Sequence, residues 1–66
     1  MKNNVRLERT ALKMTQEDLA KKIGVSRQTI NAMESNKYIP STVLALKVAQ
    51  VLSKKVEDLF ELDETD

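Results

Sequence analysis

The single glycine of this 66-residue chain, Gly24, separates two short amphipathic stretches that each open on a hydroxyl side chain, and no other feature limits the fold as much. Pro40 is the only proline. With so few turn formers the chain cannot be cut into hairpins, and its β-branched residues are scattered rather than alternating, so helices are expected. A first helix is predicted over about Asn4 to Lys13, with Val5, Leu7, Ala11, Leu12 and Met14 as its apolar contacts. A second opens at Thr15, a capping residue, with Asp18 three positions on in the manner of a capping box. Glu17 and Asp18 oppose the positive end of its dipole. Leu19, Ala20 and Ile23 form its apolar stripe, and Gly24, free to take positive φ, ends it. Ser26 caps a third helix reaching about Ser35, and the loop that follows is closed by Pro40. Ser41 caps a fourth, to Leu52. A short fifth covers about Val56 to Phe60, before an acidic tail over 61–66.

Two short helices joined by a three- or four-residue turn containing glycine make a helix-turn-helix. Residues 15–35 meet its demands. Ala20 is small where the next helix crosses, Gly24 sits in the turn, and Val25, Ile30 and Met33 fill the angle between the helices. The opposite face of the third helix carries Arg27, Gln28, Asn31 and Ser35, spaced i, i+1, i+4 and i+8. None is acidic, and all donate hydrogen bonds. Arginine suits guanine O6 and N7, while glutamine and asparagine suit adenine N6 and N7. Ala32, at the edge of this face, can meet a thymine methyl. A merely solvated face would favour Glu and Lys over these mediocre helix formers. The surface reads as one that meets the edges of paired bases in double-stranded DNA.

Charge agrees with that reading. The net charge is only +1, but residues 1–39 hold eight Lys or Arg against four acids, and residues 40–66 hold three against six. The front half is thus the one suited to a polyanion. The chain has no Cys and no His, which removes disulfides, thiolate chemistry and the usual zinc ligands. No metal site or cofactor is expected. Catalysis would need a carboxylate pair or an activated Ser or Lys, and the carboxylates here are accounted for by helix starts and the tail, so no enzyme is expected. No apolar run has the length of a membrane span, and the expected location is cytoplasmic. Single-stranded RNA readers rely on stacked aromatics, and only Tyr38 and Phe60 are present.

The run Thr15-Gln16-Glu17-Asp18-Leu19-Ala20, then Val25-Ser26-Arg27-Gln28-Thr29-Ile30-Asn31, Glu34, Asn36-Lys37-Tyr38 and Pro40-Ser41 resembles the Cro/C1-type (XRE) family. The likeness extends to Glu57-Asp58-Leu59-Phe60, so it spans nearly the whole chain. It implies one all-α domain over residues 1–66, a five-helix Cro/C1-type (lambda repressor-like) DNA-binding fold. By the same resemblance Arg27 and Gln28 contact bases, with Asn31 a further candidate. Gln16 holds a phosphate at the start of the second helix, and Asn36, Lys37 and Tyr38 grip the DNA backbone. Ser26 and Thr29 match positions that contact phosphate or base, and their other reading is as helix caps. Arg9 and Glu34 match a structural ion pair. Glu8 stands where many relatives are apolar, which implies a slightly rotated first helix. Asn36 stands where glycine is frequent, and asparagine tolerates left-handed geometry.

The fourth helix is apolar at Val43, Leu44, Ala45, Leu46, Val48, Ala49, Val51 and Leu52, more than one inward stripe requires. Either it is central to the bundle or a second copy covers its far side. Helix-turn-helix dimers read half-sites one turn of DNA apart, so a homodimer on an inverted repeat is expected. Val51, Val56, Leu59, Phe60 and Leu62 are its candidate interface. The rival reading is a protein-interaction module of the same fold, such as an antitoxin. Such a module has no need of an acid-free, hydrogen-bonding helix face.

Overall fold

In the computed structural model, which describes residues 1–66, five helices follow one another: α1 (Val5–Ala11), α2 (Gln16–Ile23), α3 (Arg27–Glu34), α4 (Thr42–Leu52) and α5 (Val56–Leu59). Three start on the predicted hydroxyls. Thr15 Oγ1 accepts from the Asp18 amide at 3.0 Å while Asp18 Oδ2 accepts from the Thr15 amide at 2.9 Å, a complete capping box. Donation from the Thr15 amide, and after it from the Thr15 hydroxyl, holds the Asp18 carboxyl below its ordinary range. Ser26 and Ser41 accept from the amides three residues on, both at 3.2 Å.

The four longer helices end alike, each on a residue of positive φ: Lys13 (58°), Gly24 (77°), Asn36 (61°) and Ser53 (56°). The next amide then reaches back five residues, from Met14 to Arg9, Val25 to Ala20, Lys37 to Ala32 and Lys54 to Ala49, at 3.2, 3.0, 2.9 and 3.0 Å. This closure satisfies carbonyls that would otherwise lack partners. Only Gly24 adopts the conformation without steric cost. The turn at Lys13 also makes α1 shorter than predicted. Because Ser53 is exposed, Ser53→Gly should stabilise the domain by about 1 kcal/mol, a rise of roughly 4–8 °C in thermal midpoint. A calorimetric scan showing no rise would mean that the turn at Ser53 carries no strain.

A short antiparallel ribbon joins the ends of the chain, β1 (Lys2–Asn3) pairing with β2 (Phe60–Glu61), Lys2 opposite Glu61 and Asn3 opposite Phe60. An entirely helical chain was expected, and the ribbon is the one addition to it. It takes Phe60 out of the fifth helix, which is a single turn ending at Leu59. Beside it the Asp63 carboxyl is held far below its ordinary range by the Thr65 hydroxyl and the Met1 amino group.

The core gathers Val5, Leu19, Ala20, Ile23, Ile30, Met33, Leu44, Val48, Ala49, Leu52, Leu59 and Phe60. Two expectations are corrected by it. Leu7, Ala11 and Leu12 do not face inward, because Val5 and Arg9, one turn apart, occupy the buried side of α1. Glu8 flanks that side and lies 3.7 Å from Lys54. Leu59 and Phe60, expected at a dimer interface, are core residues only 1% and 9% exposed, so almost none of their surface is left for a partner. In so small a domain the fifth helix has to close the bundle. On α4, Leu44, Val48, Ala49 and Leu52 are buried while Val43 and Leu46 stay exposed. The helix therefore serves the core with one side and leaves apolar surface on the other.

Candidate DNA-binding surface

α2 and α3 meet through Ala20, Ile23, Ile30 and Met33, all buried, with Val25 in the turn packed against them. Anchoring α3 by Ile30 and Met33 turns Arg27, Gln28, Asn31 and Ser35 outward, and all four are exposed. Arg27, Gln28 and Asn31 make no side-chain hydrogen bond or ion pair within the domain. Ala32 is half-buried at the edge of this face. A short helix thus presents an acid-free row of free donors to solvent.

Ser26 and Thr29 act first on the helix itself. Ser26 Oγ accepts from the Thr29 amide and lies 3.0 Å from Thr29 Oγ1, so the capping reading describes their bonds in the free protein.

Behind α3 a buried cluster locks three helices together. Arg9 donates through Nε and Nη2 to the two oxygens of Glu34, at 2.7 and 3.1 Å, and through Nη1 to the Met14 carbonyl at 2.7 Å. The side chains are 8% and 3% exposed. Such a two-pronged bond fits the planar guanidinium, and lysine could not reproduce it. Gln16 Nε2 adds a third donor to Glu34, at 3.1 Å. The amide of Gln16, expected on a phosphate, is thus tethered to the scaffold by one proton while its oxygen and second proton remain available. Gln16 and Arg27 border one polar cleft of about 390 Å³, together with Arg9, Thr15 and Glu17. Glu17 turns toward Lys21, 3.6 Å away and one turn on.

At the far end of α3, Asn36 takes the left-handed turn, and Lys37 and Tyr38 follow it, all three exposed. The Asn36 carboxamide oxygen accepts from Asn3 Nδ2 at 3.0 Å. Asn3 is the residue of this region that sequence reasoning missed. Its partners at the end of α3 lie thirty and more positions away, and no local pattern signals them. No three His, Cys, Asp or Glu side chains converge into a metal site, and no helix is long and apolar enough to cross a membrane.

A bundle in which a capped, left-handed turn presents one helix of exposed, unpartnered hydrogen-bond donors is that of a helix-turn-helix DNA-binding domain of a transcriptional regulator. The helix-turn-helix family model matches residues 5–59, and the chain belongs to that family, in its Cro/C1-type (XRE) branch. It is 55% identical over 60 residues to an uncharacterized HTH-type transcriptional regulator of Methanocaldococcus jannaschii, covering 91% of each chain. Identity is 46% over 66 residues to a regulator so described from Archaeoglobus fulgidus, across 100% of this chain and 93% of the relative. To the uncharacterized HTH-type transcriptional regulator YgzD of Bacillus subtilis it is 45% over 64 residues, 97% of each.

Proposed function

We propose that this protein is a sequence-specific, double-stranded DNA-binding transcriptional repressor that acts by occupying its operator. It works in the cytoplasm as a homodimer on an inverted repeat, with residues 26–35 in the major groove. The observation that carries this reading is the division of α3, whose Ile30 and Met33 are buried while Arg27, Gln28 and Asn31 are exposed and unpartnered. Arg27, Gln28 and Asn31 read base edges. Gln16, Asn36, Lys37 and Tyr38 hold the phosphates on either side, with Ser26 and Thr29 adding contacts from the α3 cap. Phosphate contacts of this kind release counterions, so affinity falls steeply as salt rises.

One copy measures 32 × 21 × 19 Å and carries one reading helix, whereas half-sites one turn apart lie about 34–36 Å from each other. A second copy is therefore needed to place a reading helix in the second half-site. Of the expected interface residues, Val51 and Val56 are half-buried and Leu62 is exposed, so these remain available, and exposed Ile39, Val43 and Leu46 extend the surface. Ile39, Leu46 and Val56 border an apolar groove of about 280 Å³. Projecting Leu46, 56% exposed, beside a recess on one surface suits the self-complementary contact of a two-fold dimer. Leu46→Glu is therefore expected to sediment as a folded monomer and to lose about a hundredfold or more in affinity for a full operator. A Leu46→Glu protein that remains dimeric would contradict this interface.

A further inference from the structure

The side chain of Asn3 joins three parts of the molecule. Its Nδ2 donates one proton to the Met33 carbonyl at 2.9 Å and the other to Asn36 Oδ1 at 3.0 Å. Its Oδ1 accepts from the Val5 amide at 3.1 Å, at the start of α1. The orientation of the carboxamide is fixed by these partners. Turned over, it would set its oxygen against two oxygens and its NH₂ against an N–H. Its backbone is also held, since Asn3 pairs with Phe60 across the ribbon and the next amide, Asn4, donates to the Leu59 carbonyl at 2.8 Å. Leu59 and Phe60 are core residues, so Asn3 hangs from a rigid support.

What it grips is the end of α3. Met33 O also accepts from the Asn36 amide at 3.1 Å, so Asn3 occupies the second lone pair of a carbonyl already bonded to the left-handed residue. The bond to Asn36 Oδ1 sets the side chain of the one residue in that turn whose conformation glycine would adopt more easily. Lys37 and Tyr38 follow directly. An exposed loop of this kind would otherwise fluctuate, and ordering it on DNA would subtract from binding. We propose that Asn3 is a positioning residue for DNA binding: it presets the Asn36–Tyr38 loop in its phosphate-gripping shape without touching DNA. The role rests on the DNA-binding reading given above.

Asn3→Ser separates this role from folding, because a serine hydroxyl can still accept from the Val5 amide but cannot span to Met33 and Asn36. In DNA-free protein, exchange of the Lys37 amide should quicken about tenfold, with the amides of α4 unchanged. Affinity should fall about three- to tenfold on every duplex, at a temperature where both proteins are fully folded. The salt dependence should become shallower by about one phosphate per copy, with base preference kept. In a Lys37→Ala background the same change should cost less than about twofold, since the gripping side chain is already gone. Unchanged exchange at Lys37, or unchanged affinity and salt dependence, would overturn the proposal. A parent protein that binds no duplex at all would remove the function on which the role rests. The exchange measurement would then still tell whether Asn3 orders the loop.

Discussion

Glu34→Ala is expected to cost about 3–5 kcal/mol and to lower the urea midpoint of unfolding sharply. A domain of this length has a total stability of roughly 3–10 kcal/mol, so the loss consumes a large part of it. The reason lies in what Glu34 compensates. Two donors from Arg9 and one from Gln16 converge on a carboxylate that is 3% exposed, and Arg9 itself is 8% exposed. Without Glu34, the guanidinium keeps only the Met14 carbonyl and carries an unpaired buried charge. Arg9→Ala should cost a similar amount by stranding the carboxylate. The double variant should then cost clearly less than the two single changes added together, because each single change already destroys the same pair. Urea denaturation of the three variants measures this coupling. Costs that simply add would mean that the pair is not the unit holding α1, α2 and α3 together.

The second large effect is on DNA rather than on stability. Arg27→Ala should weaken operator binding by about 1–3 kcal/mol per half-site and relax the preference at one base pair in each. Its melting behaviour should be that of the parent, since Arg27 is exposed and supports nothing in the fold. Lys37→Ala should differ in kind. On the proposed reading it removes a phosphate contact, so all sequences should weaken alike and the salt slope should drop by about one per copy. Comparing the two on matched and mismatched duplexes separates base reading from backbone gripping. An Arg27→Ala protein with the affinity and preference of its parent would show that α3 does not read guanine through this side chain.

Much of this architecture is legible in the sequence because it is written in local chemistry. Thr15 with Asp18, Ser26, Ser41 and Gly24 mark helix ends through bonds that span only a few residues, and all five do so in the structure. The two faces of α3 follow from its period once Ile30 and Met33 are taken as the anchors. What escaped the reading depends on distant partners. Two-residue strands have no period of their own, so the pairing of Lys2 with Glu61 leaves no trace in either segment. The left-handed turns at Lys13 and Ser53 were hidden for a related reason, because tertiary closure there overrides the preference for glycine. Leu7 and Leu12 have apolar side chains, but Arg9, which lies between them in the chain, claims the inner face of α1 for an ion pair. Leu59 and Phe60 look like spare apolar surface until the ribbon shows that they seal the core. The same holds for Asn3, whose role exists only once α3 and the ribbon are folded together.

The most direct test of the central claim is selection by the purified protein from a pool of random DNA duplexes at low ionic strength. The expected result is enrichment of an inverted repeat whose half-sites lie about 10–10.5 base pairs apart, retained less and less as salt is raised. A protein that is folded in the same buffer yet retains no duplex, or retains all sequences equally, would contradict it.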